Sequence, residues 1–421
     1  MPKKRNNSSN PNAQSKAHLR LHTPAKSAGH ASHKGGSELE SLLHSEHIVK
    51  IEKLAVGGHG IARINHKDRK VAVFVSQSAP DDKVKIKITA ADKNFLTALI
   101  VETIEPSPSR VNPPCKYVAE CGGCPWQHIH EKSQIAQKEL ILKDLFSKFL
   151  PQTAYTLETT VTSPKQFEYR NRIQLKQLGR SIGFFKPESH DIVDIEDCLI
   201  AETPLREWFK THKAQVKPSD KLKKYELKLN SEHKVEFYPI GTKSEGLAFA
   251  QVNQYVNDLL INKTLEFFKT IHPKSLTEFY AGSGNFTFPI AHLLTDTKID
   301  AIELNPDLTQ KATDTIKSLK LHKRIRFYTT KSEFFPLRQS ISQDMVMLDP
   351  PRQGCEKLLL EKIADTAPQY ILYISCHPVS LVRDLQVLQK NGYNFEIKHL
   401  QIFDMFPQTD HFETLCLLKK S

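Results

Sequence analysis

The chain reads as three folded units behind a basic arm: a small closed β-barrel, a central α+β region, and a C-terminal α/β domain with a mostly parallel sheet. Three observations predict this. Five short runs of alternating apolar and polar residues fall between His47 and Glu105. A Pro-rich break, PSPSRVNPP, then leads into three closely spaced cysteines. From residue 245 onward, strand-like and helical runs alternate. These shifts divide the chain at 1–44, 45–105, 106–244 and 245–421.

Composition narrows the class. A hydrophobic content of 39% with 25% charged residues is that of a globular protein with a sizeable core. The net charge of +12 points to an anionic partner, and nucleic acid fits best because neutralised phosphates release counterions. No run approaches the roughly 20 apolar residues of a membrane-spanning helix. The opening MPKKRNNSSNPN has no apolar segment behind its basic residues, so it is not a secretory signal and a cytoplasmic location is expected. Seven cysteines are too few and too scattered for a disulfide scaffold. The cluster Cys115, Cys121 and Cys124 suggests metal first.

Each element follows from local pattern. Residues 1–37 carry basic residues and no acidic one among Asn, Ser, His and Gly, which describes a disordered arm. The runs HIVKIEKLAVGG, GIARINHK, KVAVFVSQ, DKVKIKITAADK and FLTALIVETIEP predict a five-stranded barrel of the oligonucleotide-binding type. Apolar residues at helical spacing predict a helix from Glu131 to Phe149. FEYRNRIQLKQ, RSIGFF and HKVEFYPI read as further strands. LTEFYA, IDAIEL, RIRFY, DMVMLD and YILYIS predict the parallel strands, with EIKHLQIF and HFETLCLL after them.

The chemistry lies at the strand ends of the last domain. FYAGSGNFTFPIA sets a Gly-rich turn between strand and helix, where backbone approaches a ligand closely. About 20 residues later Glu303 ends a strand, where a carboxylate accepts hydrogen bonds from ribose hydroxyls. The turn is not GxGxxG, and with LDPP at the end of the fourth strand S-adenosylmethionine is the better ligand than a dinucleotide. Asp349 of LDPPRQG stands where cofactor and target meet. Amine-methylating enzymes place an aromatic residue after the prolines and cytosine C5 enzymes a cysteine; this chain has Arg352. Cys376 of ISCHP and Glu413 of HFET complete a constellation for uracil C5. A thiolate adds to C6 and makes C5 nucleophilic, and a base then removes the C5 proton. Cys355 and Cys416 read as packing residues. Cys-x5-Cys-x2-Cys with Cys198 as a distant fourth suits a [4Fe–4S] cluster or structural zinc, and is not the spacing of radical enzymes.

CGGCPWQ, FAQVN, AGSGNFTFP, LDPPR, SCHP and HFET, in this order, resemble the RNA uracil-5 methyltransferase family, most closely its 23S rRNA branch. The resemblance covers residues 45–421 and implies a TRAM-type RNA-binding barrel, a central iron–sulfur domain and a Rossmann-like class I methyltransferase domain. It implies that Cys115, Cys121, Cys124 and Cys198 ligate a [4Fe–4S] cluster, and that Gln251, Tyr280, Asn285, Glu303 and Asp349 bind S-adenosylmethionine. It makes Cys376 the nucleophile and Glu413 the base, with Phe249 helping to position the target base. The expected partner is RNA, 23S rRNA first and tRNA second, and the expected state is a monomer. A silent RNA-binding iron–sulfur protein is the reading from another class. The chain departs from common family residues at Lys331, Phe412 and Asp410, the last where glycine is usual.

Overall fold

The computed structural model describes residues 38–230, 232–240, 251–337 and 344–421; most of the basic arm and Phe249 lie outside them. Strands β1 (Glu46–Lys50), β2 (Lys53–Leu54), β3 (Gly60–His66), β4 (Arg69–Val75), β5 (Lys83–Ala91) and β6 (Phe95–Glu105) form one sheet in the order β1-β5-β6-β4-β3-β2. Every second residue of β4 and of the first half of β5 turns inward, so Val71, Val73, Val75, Val84, Ile86 and Ile88 fill the barrel. Sequence periodicity predicts five strands and six form. The first run breaks after Lys50, because the backbone of Ile51 bonds instead to Asp81 and Asp82. The chain then leaves as the two-residue β2.

Helix α1 (Glu131–Phe149) follows, over the residues its spacing predicts. Next come β7 (Arg172–Gly179), β8 (Ser181–Phe185), β9 (Ile192–Asp194), α2 (Thr203–His212), β10 (Ser219–Leu229) and β11 (Val235–Pro239). The five strands pair antiparallel in the order β11-β10-β7-β8-β9. Leu205 and Phe209 of α2 cover one face of this sheet, against Ile173, Leu175, Tyr225 and Leu227.

The last domain holds α3 (Gln254–Ile271), β12 (Ser275–Phe279), α4 (Thr287–Leu293), β13 (Lys298–Glu303), α5 (Pro306–Ser318), β14 (Ile325–Thr329), β15 (Met345–Leu348), α6 (Lys357–Thr366), β16 (Tyr370–Ser375), α7 (Pro378–Lys390), β17 (Phe395–Phe403) and β18 (Glu413–Lys420). The sheet order is β14-β13-β12-β15-β16-β18-β17, parallel except for the two pairings made by β18. The central strand β15 is buried on both faces. Met345 and Met347 face the core of α3, α4 and α5, while Val346 and Leu348 face the core of α6 and α7. Among the described residues, no helix is long and apolar enough to cross a membrane.

Helix α1 does not stay with the central sheet. Its Ile141, Leu142 and Phe146 join Leu381, Leu385 and Leu388 of α7, so the stretch before β7 is built into the flank of the C-terminal core. The segment around Leu157 and Val161 pairs with Leu400 and Phe403 of β17. On the inner face of α1, Lys138 is fully buried and donates to Asp404, just past β17, at 2.5 Å. A buried ion pair of this kind holds geometry more than it adds stability, but removing one partner strands the other charge. Lys138→Met is therefore expected to lower stability by about 3–5 kcal/mol in denaturant unfolding, and Lys138→Met with Asp404→Leu to recover most of it.

Candidate active site

The strand ends of the last domain open into a cavity lined by Gln251, Glu278, Tyr280, Gly282, Asn285 and Asp349. Its floor is the Gly-rich turn after β12. Gly282 and Gly284 adopt positive φ, and a Cβ on Gly284 would lie 2.4 Å from the Phe288 ring, so only glycine fits there. Tyr280 also has positive φ, a conformation costing about 1–3 kcal/mol in a non-glycine residue and concentrated at ligand sites. Glu303, at the end of β13, lies beside this turn. Its two carboxylate oxygens accept from the backbone N–H groups of Gly282 at 3.0 Å and Asn305 at 2.7 Å. Asn285 exchanges amide hydrogen bonds with Asn257 of α3. The strap carrying Gln251 is pinned by Asn171, which donates to the Gln251 carbonyl, and by Asn253, which caps α3.

Of the residues read from sequence as cofactor contacts, Gln251, Tyr280, Asn285 and Asp349 line the cavity and Glu303 flanks it. Sequence reasoning missed Glu278. Its one signal was an acid in an otherwise apolar strand, two residues before the Tyr-Ala-Gly turn. Glu278 is buried and takes a hydrogen bond from Thr287 at 2.5 Å. Burial, reinforced by Asp349, raises its carboxyl to about 8. Burial also raises Asp349 to about 7. A cavity with two such carboxyls is built to receive a cation, which would restore both to the ionised form.

Cys376 and Glu413 lie side by side at the strand ends next to Asp349. β16 ends at Ser375, paired with Thr414 of β18, so Cys376 and Glu413 leave the ends of adjacent strands. Burial pushes the Cys376 thiol up to about 12, with Glu413 and Asp349 adding to the shift and Arg352 opposing it. Burial, helped by Asp349, holds Glu413 well above the usual carboxylate range. One of its oxygens, Oε2, is buried without a partner among the described residues. Both groups are thus displaced toward their protonated forms.

The turn that delivers Glu413, residues 404–411, is held from every side. Lys138 donates to Asp404 and to the Phe406 carbonyl. Asn253 donates to the Met405 carbonyl, the Tyr169 hydroxyl to the Pro407 carbonyl, and the Trp126 backbone N–H to the Gln408 carbonyl. Gln134 both donates to and accepts from Gln408.

The four cysteines of the central region gather without forming a ligand set. Burial raises the Cys124 thiol, and Cys198, Cys121 and Cys115 add to the shift, so the four lie within electrostatic reach of one another. Among the described residues, however, no group of three or more His, Cys, Asp or Glu side chains is placed to hold a metal ion. A single tetrahedral zinc with bonds of about 2.3 Å needs sulfurs roughly 3.8 Å apart. The expectation of a formed metal centre is thus not met, although the donor chemistry suits one. Arg170 stands beside Cys124 and Cys198, half-buried, with its guanidinium over the Tyr169 and Phe406 rings and Nε without a hydrogen-bond partner among the described residues. Cys355 and Cys416 are buried, as packing residues would be.

Comparison with known proteins places this geometry. Residues 229–421 match the family described as tRNA (Uracil-5-)-methyltransferase, and residues 44–101 match the TRAM domain. An uncharacterized RNA methyltransferase of Bdellovibrio bacteriovorus is 39% identical over 385 residues, which span 90% of this chain and 96% of the relative. The chain belongs to the RNA (uracil-5-)-methyltransferase family. A second RNA methyltransferase, of Aquifex aeolicus, is 27% identical and covers 88% of this chain and 98% of its own. The solved Pyrococcus abyssi tRNA (uracil-54, C5)-methyltransferase, in complex with S-adenosyl-L-homocysteine, shares this methyltransferase's fold. Its TM-score is 0.66 at 20% identity, over 88% of this chain and 99% of that one.

The buried carboxyls make this methyltransferase sensitive to pH. The folded-state value of Glu278 lies above its ordinary 4.5, so between 4.5 and about 8 the folded chain keeps a proton that the unfolded chain has lost. Stability is then full below that window and falls as pH rises through it, by at most about 1.4 kcal/mol per pH unit for this group. Glu278→Gln is expected to flatten the decline in melting temperature between pH 5 and pH 8, roughly the window this shift opens, as checked by calorimetry.

Proposed function

We propose that the enzyme methylates C5 of a uridine in RNA, with S-adenosylmethionine in the Gly-rich cavity. The observation that carries this reading is that Cys376 and Glu413 leave the ends of the adjacent strands β16 and β18, within electrostatic reach of Asp349, which lines the cavity. Bound S-adenosylmethionine supplies an electrophilic methyl group on a sulfonium. Glu278 and Asp349 offer the cation two carboxylates, and Gln251, Tyr280, Asn285 and Glu303 surround the remaining polar groups.

Cys376 must lose its proton before it adds to C6. Arg352, the cation acting on the thiol, favours that loss. Addition leaves a carbanion at C5, which takes the methyl group. Glu413, ionised by then, removes the C5 proton, and elimination returns the electron pair to sulfur and frees Cys376. Burial raises the proton affinity of Glu413, which makes it a stronger acceptor once deprotonated than an ordinary carboxylate. C5 and C6 are reachable only if the base leaves its stack, so a loop or single-stranded uridine is the target.

Large-subunit rRNA is the first reading of the substrate, supported by the barrel and the four-cysteine set occurring together. The second is tRNA, favoured by the name of the solved Pyrococcus relative, which shares the fold along most of the chain. For the central region we infer a [4Fe–4S] cluster on Cys115, Cys121, Cys124 and Cys198. The four thiols within electrostatic reach of one another, beside the Arg170 cation, support an anionic centre.

Five outcomes test this reading. Unmodified 23S rRNA incubated with labelled S-adenosylmethionine should yield 5-methyluridine by nucleoside mass analysis; product from a tRNA pool alone would move the substrate, and product from neither would overturn the reaction. Cys376→Ala should lower turnover by about 10³-fold or more while RNA affinity stays. Glu413→Gln should accumulate methylated RNA bound covalently to the protein, visible on a denaturing gel, since the C5 proton has no acceptor. Binding of S-adenosylmethionine should tighten as pH rises through about 7 and about 8, with proton release in calorimetry, because the cation favours ionised Asp349 and Glu278. Anaerobic purification should give brown protein with iron; stoichiometric zinc without iron would remove the cluster from the proposal.

A further inference from the structure

Asp410 joins two domains of the chain through one side chain. Asp410 is buried on the turn leading to Glu413. Its Oδ2 accepts from the backbone N–H of Gly57 at 2.8 Å. Gly57 belongs to the turn between β2 and β3 of the RNA-binding barrel. The same turn is tied a second time, because Trp126 donates from its indole to the Gly58 carbonyl at 3.0 Å and from its backbone to the Gln408 carbonyl at 3.1 Å. Gly58 has positive φ, and a Cβ there would press on Pro125 at 3.3 Å, so the barrel meets the turn at close quarters.

From Asp410 the contacts run on toward the thiol. Arg352 Nη2 donates to His411 Nδ1 at 3.3 Å, and Asp410 Oδ2 lies 3.5 Å from the same nitrogen, a contact and not a second hydrogen bond. The Arg352 carbonyl accepts from the Ser380 hydroxyl, which also bonds His377, the neighbour of Cys376, and the Arg352 charge lowers the thiol. His411 also packs edge-on against Phe406 and feels the charges of Lys138 and Arg170. Three groups thus stand between a barrel amide, Gly57 N–H, and the nucleophile: Asp410, His411 and Arg352.

We propose that Asp410 is a positioning residue that couples the RNA-binding barrel to the methyl-transfer site, holding His411 and Arg352 in register with Cys376. The proposal rests on the functional reading above. In it, RNA held by the barrel fixes the β2–β3 turn, and Asp410 carries that order to the residues around the nucleophile. A glycine at 410 leaves only the Trp126 tie, which reaches Gln408 but not His411.

The test compares Asp410→Gly and Asp410→Asn with the parent chain, each checked for folding by its melting curve. Three readouts are used: hydrogen exchange over residues 55–60, alkylation of Cys376 by iodoacetamide without RNA, and methyl transfer to whichever of 23S rRNA transcript or tRNA pool the parent modifies. In Asp410→Gly, exchange over 55–60 should quicken and alkylation slow severalfold as Arg352 leaves the thiol. Its kcat should fall about tenfold or more with KM for the RNA within about twofold, a split that lost barrel affinity alone would not give. Asp410→Asn keeps an oxygen for the Gly57 N–H and should recover most of each effect. Parent rates of alkylation and transfer in Asp410→Gly would overturn the proposal, and so would an Asp410→Asn enzyme as slow as Asp410→Gly. If the parent methylates neither RNA, the functional reading fails by itself, and the alkylation rates still decide whether Asp410 positions the site.

Discussion

A buried lysine and aspartate, Lys138 and Asp404, fix the point at which the chain leaves β17 for the turn to Glu413. Everything around the site follows from that point. Two charges in an apolar interior tolerate little displacement, because each needs the other's distance and direction to offset its lost hydration. Helix α1 is thereby locked to the C-terminal sheet, and with it Gln134 and the Trp126 segment that hold Gln408. Tyr169 and Asn253 add bonds from the central region and from α3. A catalytic carboxylate at the end of a strand would ordinarily inherit the freedom of its loop. Here that loop has no carbonyl between 405 and 408 left to solvent.

Electrostatics at the site share one theme, that of groups held in their neutral forms until a ligand arrives. Glu278, Asp349, Glu413 and Cys376 are all displaced toward protonation, chiefly by burial and partly by one another. Several carboxyls this close cannot all ionise in a dry cavity. Asp349 weighs against ionising Cys376, and Arg352 opposes that penalty. His377 on the same rim is depressed to about 4 by burial, Arg352 and His411, so it is a neutral neighbour and no competing acid near neutral pH.

Much of this was legible in the residues, and the parts that were not share a reason. Strand alternation in KVAVFVSQ and DKVKIKITAADK announced the barrel because one face of each strand is buried. The Gly-rich turn and LDPP announced the ligand edge because only those residues allow the backbone its path there. Lys138 was invisible, since a lysine on an amphipathic helix reads as solvated, and its partner lies 266 residues away. Glu278 was passed over because an acid inside an apolar strand breaks the pattern that identifies the strand. The split of the first barrel run into β1 and β2 depends on backbone bonds from the Ala79–Asp82 turn, which no local period reveals. Asp410 could be seen as a departure but not understood, because its partner is a backbone amide in another domain.

The place of β18 in the sheet carries a consequence for biosynthesis. β18 lies between β16 and β17, yet the ribosome delivers β17 first. Until Glu413–Lys420 emerges, β17 has no neighbour on that side, and the slot beside β16 stays open. Cys376 leaves β16 beside that slot, and Glu413 is the first residue of the strand that fills it, so the two side chains come together only when the sheet closes.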